Sequence, residues 1–161
     1  MKVKIKRLHN DAIVPKYAKA GDAGLDLTAV SMNVDEFGNM VYGTGLAFEI
    51  PEGYVGLLFP RSSNCKVDQF LTNCVGVIDS GYRGEVTFKF KPSQFVYRKS
   101  TFATDVVVGS AGTTYHKMQR HGIGDRVGQI IIMPYPQIEF EEVDELSETE
   151  RGAEGYGSTG K

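Results

Sequence analysis

The chain has no tryptophan, and among its 161 residues only two cysteines, three histidines and six prolines. Cys65 and Cys74 stand nine apart without a C-x-x-C partner, so neither a structural zinc nor a disulfide framework is expected and both thiols should be reduced. None of His9, His116 and His121 falls in H-E-x-x-H or another ligand spacing, which argues against a transition metal caged by protein groups. No run of about 18 apolar residues occurs, and the N-terminal MKVKIKRLHNDAIV has no apolar h-region. The expectation is a soluble, unsecreted, cytoplasmic protein with no membrane partner. Charge of one sign is lacking too. Eighteen Lys+Arg against twenty Asp+Glu leave a net charge of −2, without the basic surface that stable nucleic-acid binding through phosphate charge requires. The balance is uneven: seven acids lie between Glu139 and Glu150, leaving eighteen Lys+Arg against thirteen Asp+Glu elsewhere, a net of +5. A local anionic ligand is therefore allowed.

What the chain has in excess is glycine, nineteen residues, or roughly 12% against an average near 7%. The length fits one domain. Apolar periodicity is 2 rather than 3.6: Val3 and Ile5 alternate with Lys2, Lys4 and Lys6, and Val86, Phe88 and Phe90 alternate with Thr87, Lys89 and Lys91. These predict half-buried strands. Tyr54 to Phe59 and Val127 to Met133 are short apolar runs bounded by Pro or Gly, which predict strands covered on both faces. No long segment carries a helical stripe, and turn signals such as Glu36 to Asn39 and Pro51 to Gly53 separate the runs. The expected fold is all-β, an antiparallel sandwich, jelly roll or barrel. A single helical turn is expected after Arg61-Ser62-Ser63, with serine as its N-cap.

Residues 97 to 121 hold four Lys/Arg, one acid and a Gly-Ser-Ala-Gly turn, and read as a long hairpin or excursion from the core. It is either a decorated loop or a surface for a protein partner. Residues 147 to 161, SETERGAEGYGSTGK, have almost no apolar content, so the expected organisation is a β domain over 1–146 and a mobile C-terminal arm over 147–161. The arm fits G-x-x-x-x-G-K at Gly155 to Lys161. A phosphate loop of that kind needs a Ser/Thr after the Lys and a helix to receive the phosphates, and this sequence supplies neither. Asp79, after the apolar Val77 and Ile78, reads as a buried carboxylate that either caps its turn or serves as a general base on water. Tyr82 is either a core aromatic or a platform for a sugar or base. Pro60 to Ser63 offers a guanidinium and two hydroxyls, a set suited to phosphate, or an ordinary capped turn.

In order and spacing, five segments resemble the motifs of the trimeric dUTP pyrophosphatase (dUTPase) family: AGDAGLDL (Ala20 to Leu27), PRSS (Pro60 to Ser63), GVIDSGYRGEV (Gly76 to Val86), GDRVGQIII (Gly124 to Ile132) and RGAEGYGSTG (Arg151 to Gly160). The third and fifth are the specific ones. The resemblance implies a jelly-roll-like subunit of a homotrimer with active sites at the interfaces, and hydrolysis of dUTP to dUMP and pyrophosphate. That activity limits uracil incorporation into DNA and supplies dUMP for dTMP synthesis. It implies that Asn73, Gly76, Val77 and Ile78 take the uracil edge and that Tyr82 sits under the deoxyribose. Asp79 would receive the 3′-OH and orient the attacking water. Arg61, Ser62, Ser63 and Gln129 would bind phosphate, Ser62 at the oxygen bridging the α and β phosphorus atoms. Asp26 would hold waters around a substrate-bound Mg2+. Thr87 and Gly157 complete the implied substrate-binding set. The arm of another subunit would close the site, with Arg151 and Ser158 on phosphates and Tyr156 stacked on uracil. The chain departs from the common pattern at Tyr156, often Phe, at Gly81, often acidic, at Ser63, often Gly, and at Gly128, often Ala. Two other functions stay open on the sequence: a dCTP deaminase-like enzyme, which shares R-S-S, and a regulatory nucleotide-sensing binder acting through the 97–121 excursion.

Overall fold

The computed structural model describes residues 1–92, 106–108, 114–116, 119–153 and 155. Its strands are β1 (Lys4–Arg7), β2 (Leu25–Thr28), β3 (Ser31–Val34), β4 (Met40–Gly43), β5 (Leu46–Glu49), β6 (Tyr54–Phe59), β7 (Gln69–Leu71), β8 (Gly76–Ile78), β9 (Thr87–Pro92), β10 (Val106–Val108), β11 (Thr114–His116) and β12 (Arg126–Pro134). Among the described residues there is no α-helix, and the one helical element is a 3-10 turn over Ser62–Lys66. No helix there is long and apolar enough to cross a membrane.

Two four-stranded sheets carry the fold, in the orders β2-β12-β6-β8 and β3-β4-β9-β7, with β1 and β5 as a separate pair. All pairings among the described residues are antiparallel, the arrangement of a jelly-roll-like sandwich. The period-2 pattern does what it should: β9 buries Phe88 and Phe90 and exposes Lys89 and Lys91. One sheet contributes Tyr42, Phe88 and Phe90 to the core, the other Leu27, Leu58, Val127 and Ile130, and these share a single cluster with Leu46, Phe48, Ile50 and Val86 among others. The predicted turn before Met40 forms around Asp35, which accepts hydrogen bonds from the main chain of Phe37 and Asn39 and from the Asn39 and Lys89 side chains.

Two expectations need correction here. Among the described residues β6 and β12 are fully covered on one face only: Leu58 and Ile130 point into the core, whereas Val55, Leu57, Phe59 and Ile131 on the opposite face are half-buried and Val77 and Met133 are exposed. The helical turn is present, but no serine caps it. Arg61 holds the N-cap position in extended conformation with no side-chain cap bond. Of the 97–121 excursion, β10 and β11 pair with each other alone, and most of the remainder lies outside the described residues.

Candidate active site

The sheet register gathers one group of predicted residues. Gln129 of β12 lies opposite Asp26 of β2 on one side and Phe59 of β6 on the other. Directly opposed residues project from the same face, so Asp26, Gln129 and the chain leaving β6 at Pro60 form one patch. Gln129 donates from Nε2 to the Pro60 carbonyl at 3.2 Å, and its amide lies against the bare Cα of Gly24, where any side chain would collide with it. Arg61 Nε donates to Asp26 Oδ1 at 2.6 Å, and its NH1 donates to Ser63 Oγ at 3.0 Å. Ser63, where glycine is common, thus supports the guanidinium. Ser62 is exposed and has no side-chain partner among the described residues.

Arg126 joins this patch, a residue the sequence reading passed over although it stands in the fourth motif segment. Its NH1 donates to Asp26 Oδ2 at 3.0 Å. The cause is a bulge: Arg126 pairs with Thr28 and Gly128 with Leu27, leaving Val127 as an extra residue. Strict alternation would turn Arg126 into the core with Gly128 and Ile130. The inserted residue flips it to the face of Thr28 and Asp26. One carboxylate bracketed by two guanidiniums leaves the patch with a surplus positive charge. Two of the five N–H donors of Arg61 are occupied, and the others remain for an anion.

A second group forms the hairpin around β8. Gly76 is buried, Ile78 half-buried, Asn73, Val77 and Tyr82 exposed. The turn into the hairpin is tight, with Cys74 in the left-handed region at φ 56 and Val75 N bonded to the Asn73 carbonyl; a non-glycine residue held there stores backbone strain. Arg83 NH1 donates to the Ser80 and Tyr82 carbonyls, and the Tyr82 hydroxyl donates to the Glu85 carbonyl. Asp79 is corrected: it is exposed, and its carboxylate has no hydrogen-bond partner among the described residues, so it caps no turn there. Thr87 is half-buried at the start of β9, opposite Gly43 of β4 in the same sheet, which is not the sheet of β8.

The two groups do not meet within one chain. Ile78, the last residue of β8, is paired with Gly56, so Asp79 leaves towards the start of β6, whereas Arg61 lies past its other end, five residues beyond Gly56. At about 3.3 Å per residue the separation is roughly 20 Å. Arg151 lies at an exposed turn, where Gly152 N bonds to Thr149. Tyr156, Gly157 and Ser158 lie outside the described residues. No cluster of three His, Cys, Asp or Glu that could hold a metal occurs among the described residues.

The dUTPase family model matches residues 10–106 and 120–160. This chain belongs to the dUTPase family. Deoxyuridine 5′-triphosphate nucleotidohydrolases of Corynebacterium glutamicum and Gloeothece citriformis are 37% and 34% identical to it, over 99% of this chain and 95% and 97% of theirs. A point mutant of the Staphylococcus bacteriophage 80alpha dUTPase with bound dUpNHpp superposes with a TM-score of 0.76 at 27% identity, covering 99% of both chains. A mutant dUTPase from phage phi11 of S. aureus, described with a coordinated structural Mg(II) ion, has a TM-score of 0.67 at 26% identity over 92% of this chain and 100% of its own. In this dUTPase, residues 107–119 fall between the two matched segments, within the excursion. Gly128, at a position often Ala in the family, is explained by packing: the Phe88 ring fills the space a methyl group would need.

Proposed function

We infer that this dUTPase converts dUTP and water to dUMP and pyrophosphate, removing a precursor of uracil in DNA and supplying dUMP for dTMP synthesis. The observation that carries this is the family match, which takes in Asp26, Arg61, Asp79 and Gln129 together with all five motif segments. The dUTP analogue bound by the phage 80alpha relative supports the same ligand here.

The residues present fit Mg2+ of a particular kind. A lone carboxylate cannot cage the ion, but Mg2+ keeps several waters and is satisfied by substrate phosphates. Asp26 has about four acceptor positions and spends two on Arg61 and Arg126, so the others could accept hydrogen bonds from waters around the ion. When bound, the ion neutralises charge developing on the triphosphate. Arg61 and Gln129 hold the phosphate chain, with Ser63 steadying Arg61. Ser62 donates to the oxygen bridging the α and β phosphorus atoms, where negative charge grows as that bond breaks. Asp79 accepts a proton from water as its oxygen bonds to the α-phosphorus; pyrophosphate leaves. The backbone of residues 73–78 reads the uracil edge, rejecting cytosine by reversed donors and acceptors, and Tyr82 crowds out a 2′-OH.

The roughly 20 Å between Asp79 and Arg61 in one chain favours a site shared between copies, in a homotrimer. So does the apolar outer face of β6 and β12, together with Ile138, Phe140 and Leu146 exposed in the segment after β12. Residues 147–161 act as a lid over a neighbour's site, bringing Arg151, Tyr156 and Ser158 to the nucleotide. Two exposed, unpaired cysteines agree with a reducing cytoplasm. The test is Asp79→Asn, which should bind a non-hydrolysable dUTP analogue as the parent does while releasing no pyrophosphate. Near-normal release would remove Asp79 as the base.

A further inference from the structure

His121 stands outside all five motif segments. Its ring meets Tyr42 edge-on at a centroid distance of 6.0 Å and tilts against Phe90 at 5.2 Å. Its Nε2 is 3.1 Å from Asn64 Oδ1. The proton on that bond can be placed. Asn64 Nδ2 donates to the Gln69 carbonyl at 3.0 Å, and a carbonyl only accepts. The amide is therefore oriented with Oδ1 towards the imidazole, and Nε2 must carry the hydrogen. The main chain of His121 is held equally firmly: its N–H donates to Gln69 Oε1 at 2.9 Å, and its carbonyl accepts from the Tyr42 hydroxyl at 3.0 Å. Gln69 Nε2 donates to that same hydroxyl oxygen at 3.1 Å. Two residues earlier, Gln119 and Asp68 are joined by two bonds of 2.8 Å. Tyr42 and Gln69 are buried, where a satisfied network is rigid and an unpaired member costly.

Asn64 is the middle residue of the 3-10 turn over Ser62–Lys66. That turn buries no residue and has no side-chain cap, and so short a 3-10 turn does not hold itself in place. Besides the Arg61–Ser63 contact at its start, the turn is anchored by the two side-chain bonds of Asn64, one to Gln69 and one to His121. Ser62 and Ser63 are the two residues before Asn64, and Arg61 precedes them.

We propose that His121 is a positioning residue for the dUTPase reaction: through Asn64 it fixes the turn that presents Arg61, Ser62 and Ser63 to the triphosphate. The proposal rests on the phosphate-binding role of the second motif, and two measurements separate the two ideas. His121→Phe keeps a flat ring against Tyr42 and Phe90 and removes the donor, whereas His121→Gln returns an N–H. In the ligand-free, full-length protein, hydrogen exchange of the Asn64 and Val67 amides should be several-fold faster in H121F and near the parent rate in H121Q. Because Ser62 faces an oxygen that gains charge in the transition state, kcat for dUTP should fall between ten- and a hundred-fold in H121F, with KM changed much less, and recover in H121Q. Where H121F fails to fold, Asn64→Ala carries the same two expectations. Unchanged exchange overturns the brace. Faster exchange with unchanged kcat overturns its part in phosphate positioning. If the parent itself released no pyrophosphate, the dUTPase reading would fall and the exchange rates alone would decide the brace.

Discussion

At Gly128 the absence of one methyl group sets how the two sheets pack. The Phe88 ring of β9 occupies the position where a Cβ on β12 would sit, so Gly128→Ala should lower stability by about 1–3 kcal/mol, the usual cost of overpacking. Thermal denaturation of the single mutant and of Gly128→Ala with Phe88→Leu would show it, the second change recovering much of the loss because the sites touch. His121 supplies a pH dependence. Burial pushes its pKa below 6.5, reinforced by the Arg61 charge and opposed by Asp125. A depressed folded pKa means stability that is complete above the unfolded value near 6.5 and lost as pH falls through the folded value. The fall in Tm between pH 7.5 and 5.5 should accordingly be larger for the parent than for H121Q. Asp79 shows where single residues escape the sequence. It follows two apolar residues and reads as buried, yet Val77 points out of the sheet and Asp79 with it is exposed. Sequence patterns report apolar character, not which face of a short strand a residue takes.

Elements were legible wherever alternation was regular. β9 and β1 follow from their period of 2, and β6 and β12 from apolar runs between Pro and Gly. What alternation could not reveal is the bulge at Val127, since one extra residue reverses the facing of everything before it. Counted back from Ile130 by strict alternation, Arg126 belongs in the core, and the bulge delivers it to Asp26 instead. The motif resemblance located Asp26, Arg61 and Gln129, and the register of β2, β12 and β6 is what brings them together. Arg126 is more than half exposed, so its pair with Asp26 is weak. Arg126→Ala should raise KM for dUTP by at most about fivefold. On the proposed phosphate-binding role, Arg61→Ala should lose hydrogen bonds to a charged ligand and weaken binding by roughly ten- to a hundred-fold. Steady-state kinetics on the two variants would reveal the ordering, and an equal loss would contradict it.

For the whole molecule, the two proposed half-sites lie roughly 20 Å apart along one chain by strand rise, beside an apolar sheet face that the described residues leave half open. The apolar runs of β6 and β12 anticipate a second covered face, and that face is available to a neighbouring copy. Subunit exchange tests the consequence. Chains carrying Asp79→Asn and chains carrying Arg61→Ala should each be nearly inactive alone, but a refolded equimolar mixture should recover about a quarter of parental turnover, because a site drawing these groups from different copies of a closed ring is sometimes intact. No recovery would mean that both groups act from the same chain. The most direct measurement of the central claim is pyrophosphate release from dUTP compared with dTTP, dCTP and UTP under identical Mg2+. Release from dUTP alone, exceeding the others by orders of magnitude, is the predicted result; equal release from all four, or ammonia from dCTP in its place, would contradict it.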